Sequence, residues 1–201
     1  MNTPNKLTIL RIILVIPFII IMSLAISIDG ALDFFGNKKK AVYLFVAGVI
    51  FAVAMITDFI DGYLARKNNQ ITSFGKLFDP LADKFMTTSA LIMLSVLEVV
   101  PFYITLLFIL RDILVDGSRN ISAKHNVSIA ASWYGKWKTL LLSIGLLLVF
   151  FITPFIHHNL DLINPSWEIW VLIIPILGAE LLSVVGGIDY FKQITKYINM
   201  E

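Results

Sequence analysis

The 201-residue chain has no cysteine, which excludes disulfides, thiolate metal sites, cysteine nucleophiles and iron–sulfur clusters. It is also poor in charge. Only 15% of its residues are Asp, Glu, Lys or Arg, against about 25% in an ordinary soluble domain. The formal net charge of +2 is too small to point to nucleic acid as a partner. There is no internal repeat and no low-complexity segment, and every connection between apolar runs is short, so nothing reads as an attached soluble domain. What fills the chain is apolar. Hydrophobic residues make up 58%, with 15 Phe, 6 Tyr and 4 Trp, and the mean hydropathy is +0.84. A soluble domain of this length could not hide that much apolar side chain beneath a polar surface. The natural solvent of this chain is lipid.

A helix crossing the hydrocarbon needs about 20 mostly apolar residues. Six segments qualify as candidates: Leu7–Ile28, Ala41–Leu64, Leu77–Leu97, Val99–Val115, Trp133–Phe155 and Trp167–Ile188. The expectation is an all-α polytopic membrane protein, in which residues 1–201 form one domain built as a bundle of six transmembrane helices. The first segment reads as a retained span rather than a cleaved signal peptide, since it is long, carries Arg11 and ends without a clear small-residue cleavage site. Of the 16 Lys and Arg residues, only Lys38, Lys39 and Lys40 fall on the side opposite the termini. The positive-inside rule therefore puts both termini in the cytoplasm of a multi-pass protein of the cell membrane. Tyr43, Trp133, Tyr134, Trp137 and Trp167 stand near span ends, where interfacial anchors belong.

Ionisable residues interrupt the spans, and all the main interruptions lie on that same side. Asp58 and Asp61 sit near the end of the second span, Asp79 and Asp83 at the head of the third, and Arg111 and Asp112 near the end of the fourth. Charges at membrane depth are costly and usually mark a functional cavity. Asp58 and Asp61 are i and i+3, and Asp79 and Asp83 are i and i+4, so each pair shares one helical face. Gly62 and Ala65 share the face of Asp58 and let a bulky ligand approach the backbone. Two such pairs on facing helices form an all-oxygen site suited to Mg²⁺ or Mn²⁺, and two divalent ions there would clamp a displacement at phosphorus. Blander readings exist. Asp79-Pro80 has the pattern of an N-cap with proline at N1, Asp58 and Asp61 could pair with Arg66, Lys67 or Lys84, and Gly62 and Ala65 could be a helix contact.

From Asp58 to Asp83 the chain carries D-x2-D-G-x2-A-R-x8-G-x3-D-x3-D, with Asp58, Asp61, Gly62, Ala65, Arg66, Gly75, Asp79 and Asp83 in the specified places. This resembles the signature of the CDP-alcohol phosphatidyltransferase family, whose members transfer a phosphatidyl group from a CDP-linked lipid to an alcohol and release CMP. The resemblance implies that Asp58, Asp61, Asp79 and Asp83 bind two divalent ions, Mg²⁺ or Mn²⁺, and that Asp83 also takes the proton of the acceptor hydroxyl. It implies that Gly62, Ala65, Arg66 and Gly75 shape the pocket for CDP-diacylglycerol, with Thr72, Ser73, Asn5 and Thr8 as further candidates. It also implies a homodimer.

The stretch from Asn5 to Arg11, the Arg111-Asp112 pair, Arg119 and the segment from Gly135 to Thr139 are similar to the phosphatidylglycerophosphate synthase branch of that family. Arg111, Arg119, Lys136 and Lys138 place cations at one end of the fourth and fifth spans, which suits an acceptor bearing a phosphate, such as glycerol 3-phosphate. They could instead be positive-inside residues facing headgroups, and Lys138 could snorkel towards them. The expected activity is phosphatidyl transfer from CDP-diacylglycerol to glycerol 3-phosphate. The alternatives are another alcohol (inositol phosphate, serine or phosphatidylglycerol), an intramembrane prenyltransferase, or a divalent-cation transporter. His125, His157 and His158 read as loop residues. Glu180, mid-span in the sixth segment, reads either as a buried, hydrogen-bonded carboxylic acid or as a subunit contact.

Overall fold

In lipid, every backbone N–H and C=O must find its partner within the segment, which long apolar runs achieve by coiling into α-helices. The computed structural model describes residues 3–28, 37–67, 72–124, 133–155 and 167–198. Among them are six α-helices and no strand: α1 (Thr3–Ile26), α2 (Lys38–Lys67), α3 (Ser73–Val96), α4 (Phe102–Lys124), α5 (Trp133–Ile152) and α6 (Trp167–Ile198), with one 3₁₀ turn at Thr153–Phe155. Four of the described helices are long and apolar enough to cross a membrane, over Asn5–Ile26, Lys38–Tyr63, Trp133–Phe155 and Trp167–Lys192. Charge keeps the other two below that measure. Asp79, Asp83 and Lys84 lie in the first half of α3, and Arg111, Asp112 and Asp116 around the middle of α4.

The beginning of α3 corrects one sequence reading. Asp79-Pro80 does not open the helix. Thr72 is the N-cap, extended at φ −103° and ψ 155°, and its Oγ1 accepts the Gly75 N–H at 3.0 Å. Pro80 lies inside the helix, where its missing N–H removes one rung of the hydrogen-bond ladder. The helix thus starts early enough to carry both Asp79 and Asp83 on regular backbone. At its other end, Glu98 takes a left-handed φ of 61°. Its N–H donates to the Ser95 carbonyl (3.1 Å), and the Val99 N–H donates to that of Leu94 (2.9 Å), closing the helix in a Schellman turn.

α1 packs on α2 and α3, α5 on α2 and α6, and α4 on α3 and α6. The buried rings of Phe18, Phe51 and Phe150 tie α1, α2 and α5 together, with Phe150 centred 5.8 Å from Phe18 and 5.6 Å from Phe51. A Cβ on Gly145 would lie 2.7 Å from Ile176 Cγ1 and 3.1 Å from its backbone nitrogen, so α5 and α6 approach this closely only because that residue is glycine. The outer surface carries Ile13, Ile16, Ile20, Phe59, Phe102, Ile113, Trp133 and Trp167, all exposed. Such a surface belongs to a membrane protein.

Candidate active site

α1 presents three polar residues at intervals of three, Asn5, Thr8 and Arg11, and all three are buried. Each holds one part of the aspartate segment. Asn5 Oδ1 accepts from the Thr72 hydroxyl at 2.8 Å, and Thr8 Oγ1 donates to Asp79 Oδ1 at 2.6 Å. Arg11 Nη1 lies 2.6 Å from Asp58 Oδ1, while its Nη2 donates to Asp61. Gly75 is tightly enclosed: a Cβ there would sit 3.2 Å from Asp79 Oδ2 and 3.4 Å from Thr72 Oγ1, so a side chain would press on Asp79. Asp61 is buried behind Asp58 on α2, and half-buried Gly62 follows it. Asp58 lies within electrostatic reach of both Asp79 and Asp83.

Asp58 and Asp83 line a cavity of about 730 Å³ that also touches Lys84, Thr87, Arg111, Asp112, Lys136, Lys138 and Tyr190. The carboxylates from α2 and α3 therefore share one space with cations from α4 and α5. Arg111 Nε donates to the Ser183 carbonyl at 2.8 Å and Nη1 to Asp112 Oδ1 at 3.0 Å. Lys138 Nζ donates to the same Asp112 oxygen at 2.5 Å and stands 5.2 Å from the centre of the Phe108 ring. The idea that Lys138 snorkels to the headgroups is overturned: it is buried, drawn inward by Asp112. Lys136 is the exposed member of the set. Lys84 pairs with Asp116 and links α3 to α4 on the cavity wall.

Two residues gained a place that sequence reasoning had not assigned. Arg11 enters the sequence reading as a charge within the first span and as part of the Asn5–Arg11 stretch, without a partner or a role, although its spacing of three from Thr8 and six from Asn5 is a readable signal. Asp112 had been noted only beside Arg111, and it is the common partner of two cations. Glu180 is buried within the chain, and neither carboxylate oxygen has a hydrogen-bond partner among the described residues. Burial there removes the subunit-contact reading, and the hydrogen bond expected of a buried acid is not found among the described residues. Ala65 and Arg66 continue α2, Ser73 opens α3 and Arg119 lies in α4, but their side chains lie outside the described residues, as do His125, His157 and His158.

Hard, acid-only oxygen donors on neighbouring helices fit Mg²⁺ or Mn²⁺ in chemistry. Among the described residues, no three carboxylate or imidazole groups converge tightly enough to hold an ion. The Arg11 guanidinium pairs with both Asp58 and Asp61.

A family model described as CDP-alcohol phosphatidyltransferase matches residues 1–179. The chain belongs to this family. Its curated relatives include proteins named CDP-diacylglycerol–glycerol-3-phosphate 3-phosphatidyltransferase. The one from Mycoplasma genitalium is 34% identical over 94% of this chain and 82% of its own length. That from Bacillus subtilis is 36% identical over 96% and 94%, and that from Rickettsia bellii 38% identical over 98% and 97%. The aspartate segment between α2 and α3 lies wholly within the region that the family model matches.

Proposed function

We propose that this membrane enzyme transfers the phosphatidyl group of CDP-diacylglycerol to sn-glycerol 3-phosphate, giving phosphatidylglycerophosphate and CMP. The observation that carries the reading is the shared cavity. Carboxylates Asp58 and Asp83 form one wall, and Arg111, Lys136 and Lys138 form another. The names of the curated relatives point the same way.

Asp58, Asp61, Asp79 and Asp83 would hold two divalent ions, which when bound neutralise diphosphate charge and stabilise the departing phosphate. Arg66 adds positive charge for the diphosphate, and Gly62, Ala65, Ser73 and Gly75 shape the nucleotide pocket. Asn5 and Thr8 serve that pocket from behind. The Thr72 hydroxyl gives its one hydrogen to Asn5, and Thr8 orients Asp79. Arg111, Lys136, Lys138 and Arg119 receive the acceptor's phosphate. Asp112 keeps Arg111 and Lys138 aligned towards it, so little ordering is left for the moment of binding.

The acceptor hydroxyl is a poor nucleophile at neutral pH. Asp83 accepts its proton as the oxygen bonds to the lipid-side phosphorus, and the bond from that phosphorus to the CMP oxygen breaks. The acyl chains lie among the helices while the nucleotide meets water. All six helices cross the bilayer, both termini are cytoplasmic, residues 1–201 act as one domain, and the enzyme is a homodimer. The test is CMP release by purified protein given CDP-diacylglycerol, Mg²⁺ and each of glycerol 3-phosphate, inositol phosphate, serine and phosphatidylglycerol. Release with glycerol 3-phosphate, with phosphatidylglycerophosphate as the lipid formed, is expected. Preference for another alcohol would replace the acceptor, and undiminished turnover in excess chelator would remove the ions.

A further inference from the structure

The roles assigned above leave Arg11 unexplained. An arginine in an apolar helix is costly to bury unless it is well paired, and Arg11 is 0% exposed. Its pairing is incomplete. Nη2 donates to Asp61, Nη1 reaches Asp58 without hydrogen-bond alignment, and Nε has no partner among the described residues. Buried arginines are best satisfied by two parallel bonds to one carboxylate. This one is divided between two carboxylates of one helix, and both belong to the four assigned to divalent ions. A guanidinium and a divalent ion cannot share the same carboxylate oxygens without strong repulsion.

We propose that Arg11 is a resident counter-charge. It holds Asp58 and Asp61 in place while no divalent ion is bound and gives up Asp58 when one binds, so that ion affinity is set by competition with it. The inference rests on the metal reading of the aspartates. Asp58 is the carboxylate released, because its side chain is 43% exposed, it lines the cavity and its contact with Arg11 is unaligned. Asp61, with a side chain only 4% exposed, keeps the guanidinium. Throughout the exchange α1 stays docked through the bonds of Asn5 to Thr72 and of Thr8 to Asp79.

The experiment measures Mn²⁺ affinity by electron paramagnetic resonance of the free ion, and thermal unfolding with and without Mn²⁺. It uses the detergent-solubilised full chain as wild type, Arg11→Gln and Arg11→Lys. Arg11→Gln should bind Mn²⁺ about tenfold more tightly or better, the equivalent of one charged contact no longer competing. It should also gain more thermal stability from the ion than wild type does. Arg11→Lys keeps the charge but cannot span both carboxylates, so it should fall between the two. Should Arg11→Gln fold only in the presence of Mn²⁺, that dependence supports the proposal, and Arg11→Lys supplies the affinity comparison. Unchanged or weaker Mn²⁺ binding in both variants, with wild type binding normally, would overturn the counter-charge role and leave Arg11 a scaffold for the ion ligands. If wild type itself binds no Mn²⁺, the metal reading fails and this inference with it.

Discussion

The two walls of the cavity solve the problem of buried charge in opposite senses. On the α1–α3 side, one cation, Arg11, serves Asp58 and Asp61, while Asp79 has a hydroxyl donor in Thr8 and Asp83 faces the cavity. On the α4–α6 side, one carboxylate, Asp112, serves two cations, Arg111 and Lys138. The first cluster is left with excess negative charge and the second with excess positive charge. Neither imbalance is a good way to stabilise a fold, since buried ion pairs at best roughly offset their desolvation. Each makes sense as half of a binding site, one awaiting cations and the other an anion. The contrast also separates two kinds of residue. Thr8 and Arg11 hold other side chains from outside the cavity, whereas Asp58, Asp83 and Lys138 line the shared space, as does Asp112, which also holds two cations.

That contrast can be broken one wall at a time. The largest effect is expected at Asp83. Asp83→Asn keeps the shape but cannot take a proton, and kcat should fall by about a hundredfold to ten-thousandfold while CDP-diacylglycerol still binds. Near-normal turnover would remove Asp83 as the base. Next comes Asp61→Ala, which strips Arg11 of its aligned partner in a buried setting. Removing one member of such a pair costs about 3–5 kcal/mol, to be seen as a lower unfolding temperature. A loss much smaller than this would mean that Asp58 alone satisfies the guanidinium. Thr8→Val deletes the bond to Asp79 and should destabilise the site by about 1.5 kcal/mol, with weaker Mn²⁺ binding as its readout. Unaltered binding would show that Asp79 needs no orienting donor. The smallest effect lies far from both walls. Glu98→Gly relieves a left-handed backbone and should stabilise the protein by about 0.5–1 kcal/mol with kinetics unchanged.

Much of this was legible in the sequence because it depends on local spacing. Apolar runs marked all six helices, and the i, i+3 and i, i+4 aspartates were visible on shared faces. The readings that failed depended on partners distant in the chain. Asp61 and Arg11 are 50 positions apart, and a lone arginine near one end of an apolar run looks like an ordinary positive-inside residue. Lys138 looked free to snorkel because its partner, Asp112, lies on another helix 26 positions away. The start of α3 was misplaced for a different reason. Pro80 is a strong local signal for a first turn, but the Thr72 cap, its bond to Gly75 and its support from Asn5 begin the helix upstream.

The claim that the two walls receive opposite charges is tested most directly by the kinetics of Lys138→Met, measured separately for each substrate. Lys138 touches the cavity yet lies on the cation wall, and Met fills a similar volume without the charge. The expected result is a KM for glycerol 3-phosphate raised roughly tenfold to a hundredfold, the equivalent of one lost charged contact, with the KM for CDP-diacylglycerol nearly unchanged. An equal rise for both substrates, or a rise for CDP-diacylglycerol alone, would contradict the account.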